Sequence, residues 1–184
     1  ECPSQVDVAK LKSEFLYQYY QRYKRPLRDQ LILQLGKISP LSHRFSGLIQ
    51  LTQNSWPAKK LLDYLGLASQ RALPSLAKES FAYWYAKRSR NNADREATVA
   101  LFVDTFSNHF EPHLAKAALS CLEKLGHHVR VITKGCCGRP LLSKGFLDEA
   151  KASAQSLLQI LQPSLEKDLP IVGIEPSCLF TLKE

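Results

Sequence analysis

Three cysteines carry the chemistry that this sequence suggests. Cys136 and Cys137 are adjacent in a turn between Gly135 and Gly138, and Cys178 lies further along the chain. Thiolates are the ligands that iron–sulfur clusters prefer, and backbone N–H groups in glycine turns and at helix starts can donate hydrogen bonds to negatively charged sulfurs. A single cysteine is more often a small core residue. An adjacent pair between glycines, with a third cysteine after a predicted strand, instead favours a metal or redox centre.

Such a centre needs elements that bring the cysteines together. Beyond residue 96, strands are predicted over 98–103, 128–132 and 171–174, and helices over 112–125 and 146–162. This alternation predicts an α/β domain with a small parallel sheet covered by helices. The loops that follow parallel strands gather along one edge of the sheet, where ligands bind. We therefore predict that the sulfurs of Cys136, Cys137 and Cys178 lie within roughly 4 Å of one another, as sharing one metal requires.

Polar side chains are predicted at the same edge of the sheet. They are Asp104, Asn108, His109, Arg139, Lys144 and Glu175. A histidine or arginine beside a thiolate lowers the pKa of the thiol and stabilises negative charge, so His109 is a candidate metal ligand. Asn108, Arg139 and Glu175 are candidate cofactor contacts, and each could instead cap a helix or pair with a neighbour. Cys121, in the helix predicted over 112–125, is expected to be a core residue.

The first half of the chain is predicted to be an all-α segment. Apolar residues recur every three or four positions over residues 6–36, and Pro26 is expected to kink or restart this helix. Shorter helices are predicted over 41–53, 57–66 and 68–73. The polar stretch 86–97 has no periodicity and indicates a linker, which divides the chain into residues 1–95 and residues 96–184.

Composition sets further limits on the class of protein. Of the 184 residues 45% are apolar, which suits a packed core, and no apolar run approaches the roughly 20 residues of a membrane span. The net charge of +8 comes from the first half, where residues 1–95 hold 16 Lys and Arg against 7 Asp and Glu. These charges are scattered along helices without a nucleic-acid-binding motif, so they indicate solvated helix faces rather than a nucleic-acid partner.

The cysteine count and the chain ends bear on compartment and context. Five cysteines, two of them adjacent, make a poor disulfide framework, and this favours a reducing, cytoplasmic compartment. The chain begins without Met and stops within a predicted helix, so we expect it to be a piece of a longer protein.

Two segments of the sequence resemble the motifs of a known family. The segments Gly135-Cys-Cys-Gly-Arg-Pro140 and Gly173-Ile-Glu-Pro-Ser-Cys-Leu179 resemble the paired motifs of the CCG cysteine-rich domain. That domain occurs in heterodisulfide reductase B subunits and in the iron–sulfur subunits of glycolate oxidase and anaerobic glycerol-3-phosphate dehydrogenase. It also forms the carboxy end of fused, FAD-linked D-lactate and D-2-hydroxyglutarate dehydrogenases, to which residues 101–112 are most similar. The resemblance covers the second half of the chain.

The start of the chain is similar to the same fused enzymes. Glu1-Cys2-Pro3 resembles the end of the ferredoxin-like run Cys-x2-Cys-x2-Cys-x3-Cys-Pro that precedes their helical segment. The resemblance implies that Cys2 is one ligand of a 4Fe-4S cluster whose other ligands lie outside this chain. The sequence departs from the wider family at Thr105 and Thr181, where heterodisulfide reductase-type domains have cysteines. The five-cysteine cluster of those enzymes is therefore not expected.

The resemblance implies an electron-transfer function with no catalytic residue in this chain. An FAD on another domain of the same polypeptide would oxidise a D-2-hydroxyacid, and electrons would pass through the ferredoxin-like cluster to an iron–sulfur centre on the three cysteines. The final acceptor would be a quinone or a carrier protein. The enzyme is expected to be cytoplasmic, and it would be peripheral to the inner membrane if the acceptor is a quinone. Two alternatives stay open: a structural zinc held by the cysteines with His109, and a metal-free docking module.

Overall fold

Helices alone make up the described part of the first half. The computed structural model describes residues 7–31, 55–71, 74–88 and 96–183. Helix α1 spans Val8–Arg22, α2 spans Trp56–Tyr64 and α3 spans Phe81–Arg88. Tyr23 is extended and residues 27–31 are helical again, so the restart predicted at Pro26 is confirmed. The helix predicted over 41–53 lies outside the described residues.

One predicted helix in this half is wrong. Residues 68–71, the described part of the helix expected over 68–73, form a turn in which the Arg71 N–H donates to the carbonyl of Ala68 at 3.2 Å. The stretch follows directly on α2, which ends in a left-handed turn at Gly66.

The second half is an α/β unit. Its strands are β1 (Val99–Phe102), β2 (Val129–Ile132) and β3 (Ile171–Gly173). Its helices are α4 (Thr105–His109), α5 (Pro112–Lys124), α6 (Arg139–Ser143), α7 (Leu147–Leu165) and α8 (Pro176–Lys183). The strands form a parallel sheet in the order β2-β1-β3, with Val99 opposite Val129 and Ala100 opposite Ile171. The predicted fold class is thus confirmed: a small parallel sheet covered by helices, preceded by an all-α segment.

The core lies on both faces of β1, whose four residues are all buried. Successive side chains of a strand point to opposite faces, so Ala100 and Phe102 contribute to one cluster and Leu101 to the other. The first cluster also contains Ile132, Cys137, Leu157 and Leu161. The second contains Phe81, Val103, Ala115 and Leu119. Because helices cover both faces, the sheet edge beyond the carboxyl ends of the strands is left to carry the loops.

Helix α3 belongs to the second cluster although it precedes the sheet in sequence. Phe81 is fully buried there, and its ring stacks on Tyr85 with centroids 5.9 Å apart. Ala86, Lys87 and Arg88 complete α3, so the linker predicted over 86–97 starts too early. Residues 89–95 lie outside the described residues, and the domain boundary near residue 95 stays a prediction.

The start of the chain packs against the loop that follows α6. The Arg25 guanidinium donates to the carbonyl of Lys144 at 2.8 Å and to that of Gly145, and it lies 3.9 Å from the centre of the Phe146 ring. The Lys144 ammonium lies 2.9 Å from Oδ1 of Asp29, a carboxylate that is 4% exposed. These contacts fix the helical segment to the α/β unit.

No helix among the described residues has both the length and the apolar content needed to cross a membrane.

Candidate cysteine site

A glycine turn after β2 positions Cys136 and Cys137. Gly135 and Gly138 have φ angles of +91° and +79°, the left-handed conformation that favours glycine, and Gly138 is the N-cap of α6. A Cβ on Gly135 would lie 2.7 Å from Cδ1 of Leu157, so the turn lies directly against α7. The Ser153 hydroxyl, also on α7, donates to the Cys136 carbonyl at 2.9 Å. The turn that carries both cysteines is therefore fixed against α7.

Cys178 lies in the first turn of α8, just beyond β3. The Glu175 carboxylate accepts hydrogen bonds from the Ser177 N–H at 3.2 Å and from its hydroxyl at 2.7 Å. The Cys178 N–H donates to the Glu175 carbonyl at 3.1 Å. Glu175 thus caps the helix start that carries the third cysteine, and this helix start agrees with the one predicted from the sequence.

The three sulfurs form a chain of contacts. The Cys137 thiol donates to Sγ of Cys178 at 3.1 Å, and the interaction between the Cys136 and Cys137 side chains raises the pKa of Cys136. Cys137 is 4% exposed, whereas Cys136 and Cys178 are half-buried. The fold brings together residues that follow two different strands, and none of the three sulfurs forms a disulfide.

This chain of contacts orders the acidities of the thiols. The hydrogen bond to Cys137 and then burial raise the pKa of Cys136 well above its ordinary value. The hydrogen bond from Cys136 lowers the pKa of Cys137, but donation to Cys178 and burial outweigh it, so that pKa is raised. The hydrogen bond from Cys137 lowers the pKa of Cys178, against burial and the charges of Asp104 and Glu175. Cys178 is therefore the first of the three to carry a thiolate.

Donors around the pair stabilise negative charge on sulfur. The backbone N–H of Gly138 lowers the pKa of Cys136, and the backbone N–H of Arg139 lowers the pKa of Cys137. The Thr105 hydroxyl also lowers the pKa of Cys136. Sequence reasoning treated Thr105 only as the site of a missing ligand. Its position at the start of α4, just beyond the carboxyl end of β1, is the signal that places it near the cysteines.

The other polar residues of the first loop support local structure. Asp104 is buried and caps α4, accepting from the N–H groups of Phe106 at 2.7 Å and Ser107 at 3.1 Å. The Asn108 amide oxygen accepts from the Ala82 N–H at 2.9 Å, which ties α4 to α3. The Asn108 amide nitrogen lies 3.3 Å from Nε2 of the buried His109. Cofactor roles for Asn108, Arg139 and Glu175, and a ligand role for His109, stay predictions.

One prediction about a cysteine is wrong, and another concerns a cysteine outside the described residues. Cys121 is exposed rather than part of the core. The core face of α5 is formed by Ala115 and Leu119, and a residue two positions after Leu119 lies on nearly the opposite side of a helix with 3.6 residues per turn. Cys2, the proposed ligand of a ferredoxin-like cluster, lies outside the described residues.

Three cysteine sulfurs are the type of ligand that an iron–sulfur cluster binds, but the distance between two of them is not the distance between ligands of one metal. Within the described ranges, no group of three or more His, Cys, Asp or Glu side chains is arranged to hold a metal ion. The 3.1 Å between the sulfurs of Cys137 and Cys178 is shorter than the roughly 4 Å between sulfurs that share one tetrahedral metal, because the thiols are hydrogen-bonded to each other. Three clustered sulfurs with backbone N–H donors are nevertheless the donors that an iron–sulfur cluster takes.

Comparison with known proteins agrees with this geometry. Residues 99–183 match the family model described as CCG, a cysteine-rich domain. The whole chain is 30% identical to D-2-hydroxyglutarate dehydrogenase of Pseudomonas putida, of which it covers 19%. Over 90% of its length it is 26% identical to one of the subunits of the anaerobic glycerol-3-phosphate dehydrogenase of Escherichia coli, and it covers 42% of that protein. Lactate utilization protein A of an Exiguobacterium species is 30% identical over 47% of this chain and 35% of its own length. No solved structure gives a significant match.

The family match concerns residues 99–183. The second half of the chain is a cysteine-rich domain of the CCG family, and the whole chain is similar to the C-terminal part of D-2-hydroxyglutarate dehydrogenases. The chain spans 19% of the length of such a dehydrogenase. The resemblance read from the two cysteine motifs is therefore confirmed.

Proposed function

We propose that this chain is the electron-transfer portion of a larger FAD-linked oxidoreductase that oxidises a D-2-hydroxyacid. The convergence of Cys136, Cys137 and Cys178 on one sheet edge carries this proposal, because three thiols held by glycine-turn N–H donors suit a redox centre. The similarity of the whole chain to one part of a D-2-hydroxyglutarate dehydrogenase supports the substrate class.

The spread of relatives supports electron transfer rather than substrate recognition. A D-2-hydroxyglutarate dehydrogenase and one of the subunits of a glycerol-3-phosphate dehydrogenase both contain a segment similar to this chain. Their names give two different substrates, but both reactions remove electrons from a substrate alcohol. A segment shared by both suits the step that they have in common. The FAD and the substrate pocket would then lie on another domain of the same polypeptide.

The three cysteines would hold the cluster together with a fourth, non-cysteine ligand, and Cys2 would be a ligand of a separate ferredoxin-like cluster. When bound, an iron–sulfur cluster supplies reversible one-electron chemistry. The N–H groups of Gly138 and Arg139 stabilise charge on the sulfurs, and the burial of Cys137 keeps water away from one of them. Electrons would leave for a quinone or a carrier protein, at the cytoplasmic face of the inner membrane in the quinone case.

A metal-free docking module is the second candidate function. Two observations favour it: the thiols already satisfy one another by hydrogen bonds, and the loop after α6 already binds the upstream segment through Arg25. In this case the cysteine-rich domain would hold the helical segment in place without carrying electrons. A structural zinc on the cysteines and His109 is the third possibility.

Elemental analysis of protein purified without oxygen tests these functions. We expect iron and acid-labile sulfide in the wild-type chain, their loss in Cys178→Ser, and their retention in Cys121→Ser, where the exchanged thiol is exposed and lies outside the cluster. Zinc in place of iron would support the structural zinc site. Absence of both metals from the wild-type chain would support the docking module and contradict the electron-transfer proposal.

A further inference from the structure

We propose that Cys137 and Cys178 form a reversible disulfide when no metal is bound, so that the cysteine site is also a thiol–disulfide switch. The two sulfurs are in direct contact at 3.1 Å, and both thiols are free. A disulfide bond is about 2.05 Å long, so the sulfurs need to approach by roughly 1 Å, a movement within the range of side-chain rotation. This inference concerns the sulfurs proposed above as ligands, but it does not depend on a cluster.

The fold favours this pair over a link between the adjacent cysteines and over links through Cys121. Cys136 and Cys137 are neighbours in sequence, and the 3.8 Å between adjacent Cα atoms is shorter than disulfides usually span. Cys121 is exposed on α5 and does not belong to the sulfur chain. Cys137 follows β2 and Cys178 follows β3, which are the two outer strands of the sheet. A bond between them therefore joins the two sides of the site across β1.

The reaction needs an oxidant, and a low-molecular-weight disulfide such as oxidised glutathione supplies it. Cys178 is half-buried whereas Cys137 is 4% exposed, so the Cys178 sulfur attacks first, forming a mixed disulfide and releasing one glutathione thiol. The Cys137 sulfur then attacks the Cys178 sulfur and releases the second glutathione. In sum, two protein thiols are oxidised to one disulfide, and one glutathione disulfide is reduced to two thiols, which take up the two protons that the protein thiols lose.

The bond would compete with metal binding. A cysteine binds a metal as a thiolate, and the disulfide would remove two of the three sulfurs of the site from binding. A chain oxidised in this way could not be loaded with metal until a reductant opened it. The site would thus record the thiol redox state around the protein before any cluster is inserted.

Peptide mapping of the metal-free chain tests the proposal. The chain is stripped with a chelator under reducing conditions, transferred to oxidised glutathione, and then blocked, digested and analysed by mass spectrometry. We expect a peptide pair linked through Cys137 and Cys178, a chain lighter by two hydrogen atoms, and full recovery of thiols with dithiothreitol. Cys136→Ser should still form the link, and Cys137→Ser should stop at glutathione bound to Cys178.

Three results would overturn the switch: no loss of thiols at the site, a dominant link through Cys136, or only dimers linked through Cys121. Repeating the experiment with Cys121→Ser removes the exposed thiol and keeps the test on the site itself. The outcome is independent of the elemental analysis. A chain that binds iron without forming the link would contradict this inference alone, and a chain that forms the link without binding metal would contradict the electron-transfer proposal alone.

Discussion

The pKa shifts at the cysteine site favour negative charge on Cys178. Cys137 donates to Cys178 at 3.1 Å, and this hydrogen bond lowers the pKa of Cys178 whereas the pKa of Cys136 and that of Cys137 are raised. The carboxylates of Asp104 and Glu175 raise the pKa of Cys178, but the hydrogen bond from Cys137 outweighs them. Metal capture or thiol exchange should therefore begin at Cys178.

Alkylation should reveal this order of ionisation. In the metal-free chain, the reaction of Cys178 with iodoacetamide should have a pH midpoint below the value of about 8.5 for a cysteine in an unfolded chain, because the folded pKa is lowered. By linkage, this thiolate stabilises the fold above the unfolded pKa, and the contribution is lost as the pH falls through the folded pKa. Rates read from the Cys178 peptide by mass spectrometry, in native buffer and in urea, measure the two midpoints.

A variant provides the matched control for this prediction. Cys137→Ala removes the donor, so the midpoint of Cys178 should rise toward or above the urea value, because burial and nearby carboxylates remain. A wild-type midpoint at or above the urea value would show that the hydrogen bond does not set the acidity of Cys178.

Sequence reasoning found the three cysteines because glycine and cysteine have strong local preferences. The flanking Gly135 and Gly138 do adopt left-handed φ angles, which few other residues accept. Thr105 was not assigned a contact, because a hydroxyl has many common roles and only the fold shows that it reaches Cys136. Cys121 was misplaced because a helix with several apolar positions does not reveal, from its residue types alone, which side faces the core.

At the scale of elements, one short helix links the cysteines to the helical segment. Helix α6 starts at Arg139, immediately after the cysteine turn, and the loop after it receives Arg25. Gly145 in this loop has a φ angle of +68°, and a Cβ on it would lie 2.6 Å from Cβ of Leu16 on α1. Helix α6 therefore connects the cysteine turn to the loop that contacts the upstream helical segment.

Adding a methyl group to Gly145 should loosen this contact. Gly145→Ala should lower the free energy of unfolding by about 2–3 kcal/mol, because the left-handed φ costs about 1 kcal/mol and the Cβ also collides with α1. Gly126→Ala is the control: its φ is +88°, but nothing lies within 4 Å of the added Cβ, so it should lose only about 1 kcal/mol. Urea denaturation of both variants measures the difference, and equal losses would mean that α1 does not pack against this loop.

The elements of the second half were predictable because strand and helix periodicities alternate clearly there. The helix expected over 146–162 runs over Leu147–Leu165 instead, since Pro163 lies inside its last turn without ending it. The role of α3 was not predicted. Its aromatic residues indicate an apolar face, but only tertiary contacts show that Phe81 joins Leu101 and Leu119 in the core of the sheet.

At the scale of the whole molecule, the two predicted domains share a core cluster. Phe81 comes from the first half, and the other buried members of its cluster come from the second. The Asn108 side chain binds the start of the same helix at Ala82. A boundary near residue 95 thus divides the sequence at a polar stretch but does not separate two independent cores.

Limited proteolysis should show both the exposed connection near residue 95 and the shared core cluster. A protease that cuts between residues 89 and 95 should leave a protected piece that starts near residue 96, and the preceding piece should co-elute with it in gel filtration because Phe81 is fully buried. Phe81→Ala should separate the pieces, since it removes about 3–5 kcal/mol of core packing. Tyr83→Ala, which changes a side chain 60% exposed on the same helix, should leave them together.

Two outcomes would contradict this account of the whole molecule. Preferential survival of residues 1–85 would mean that the helical half is the stable unit. Separation of the wild-type pieces would mean that Phe81 contributes little to holding them together.

The strand order also dictates when the site can exist during synthesis. β1 is made first but lies between β2 and β3, so on the ribosome it has no partner until β2 emerges, and its second edge stays open until residues 171–173 follow. Cys178 emerges only after that strand, at the start of α8. The nascent chain therefore carries Cys136 and Cys137 for a period without their third sulfur. Until translation has passed β3, the chain has neither the strand that covers this edge of β1 nor the third sulfur of the site.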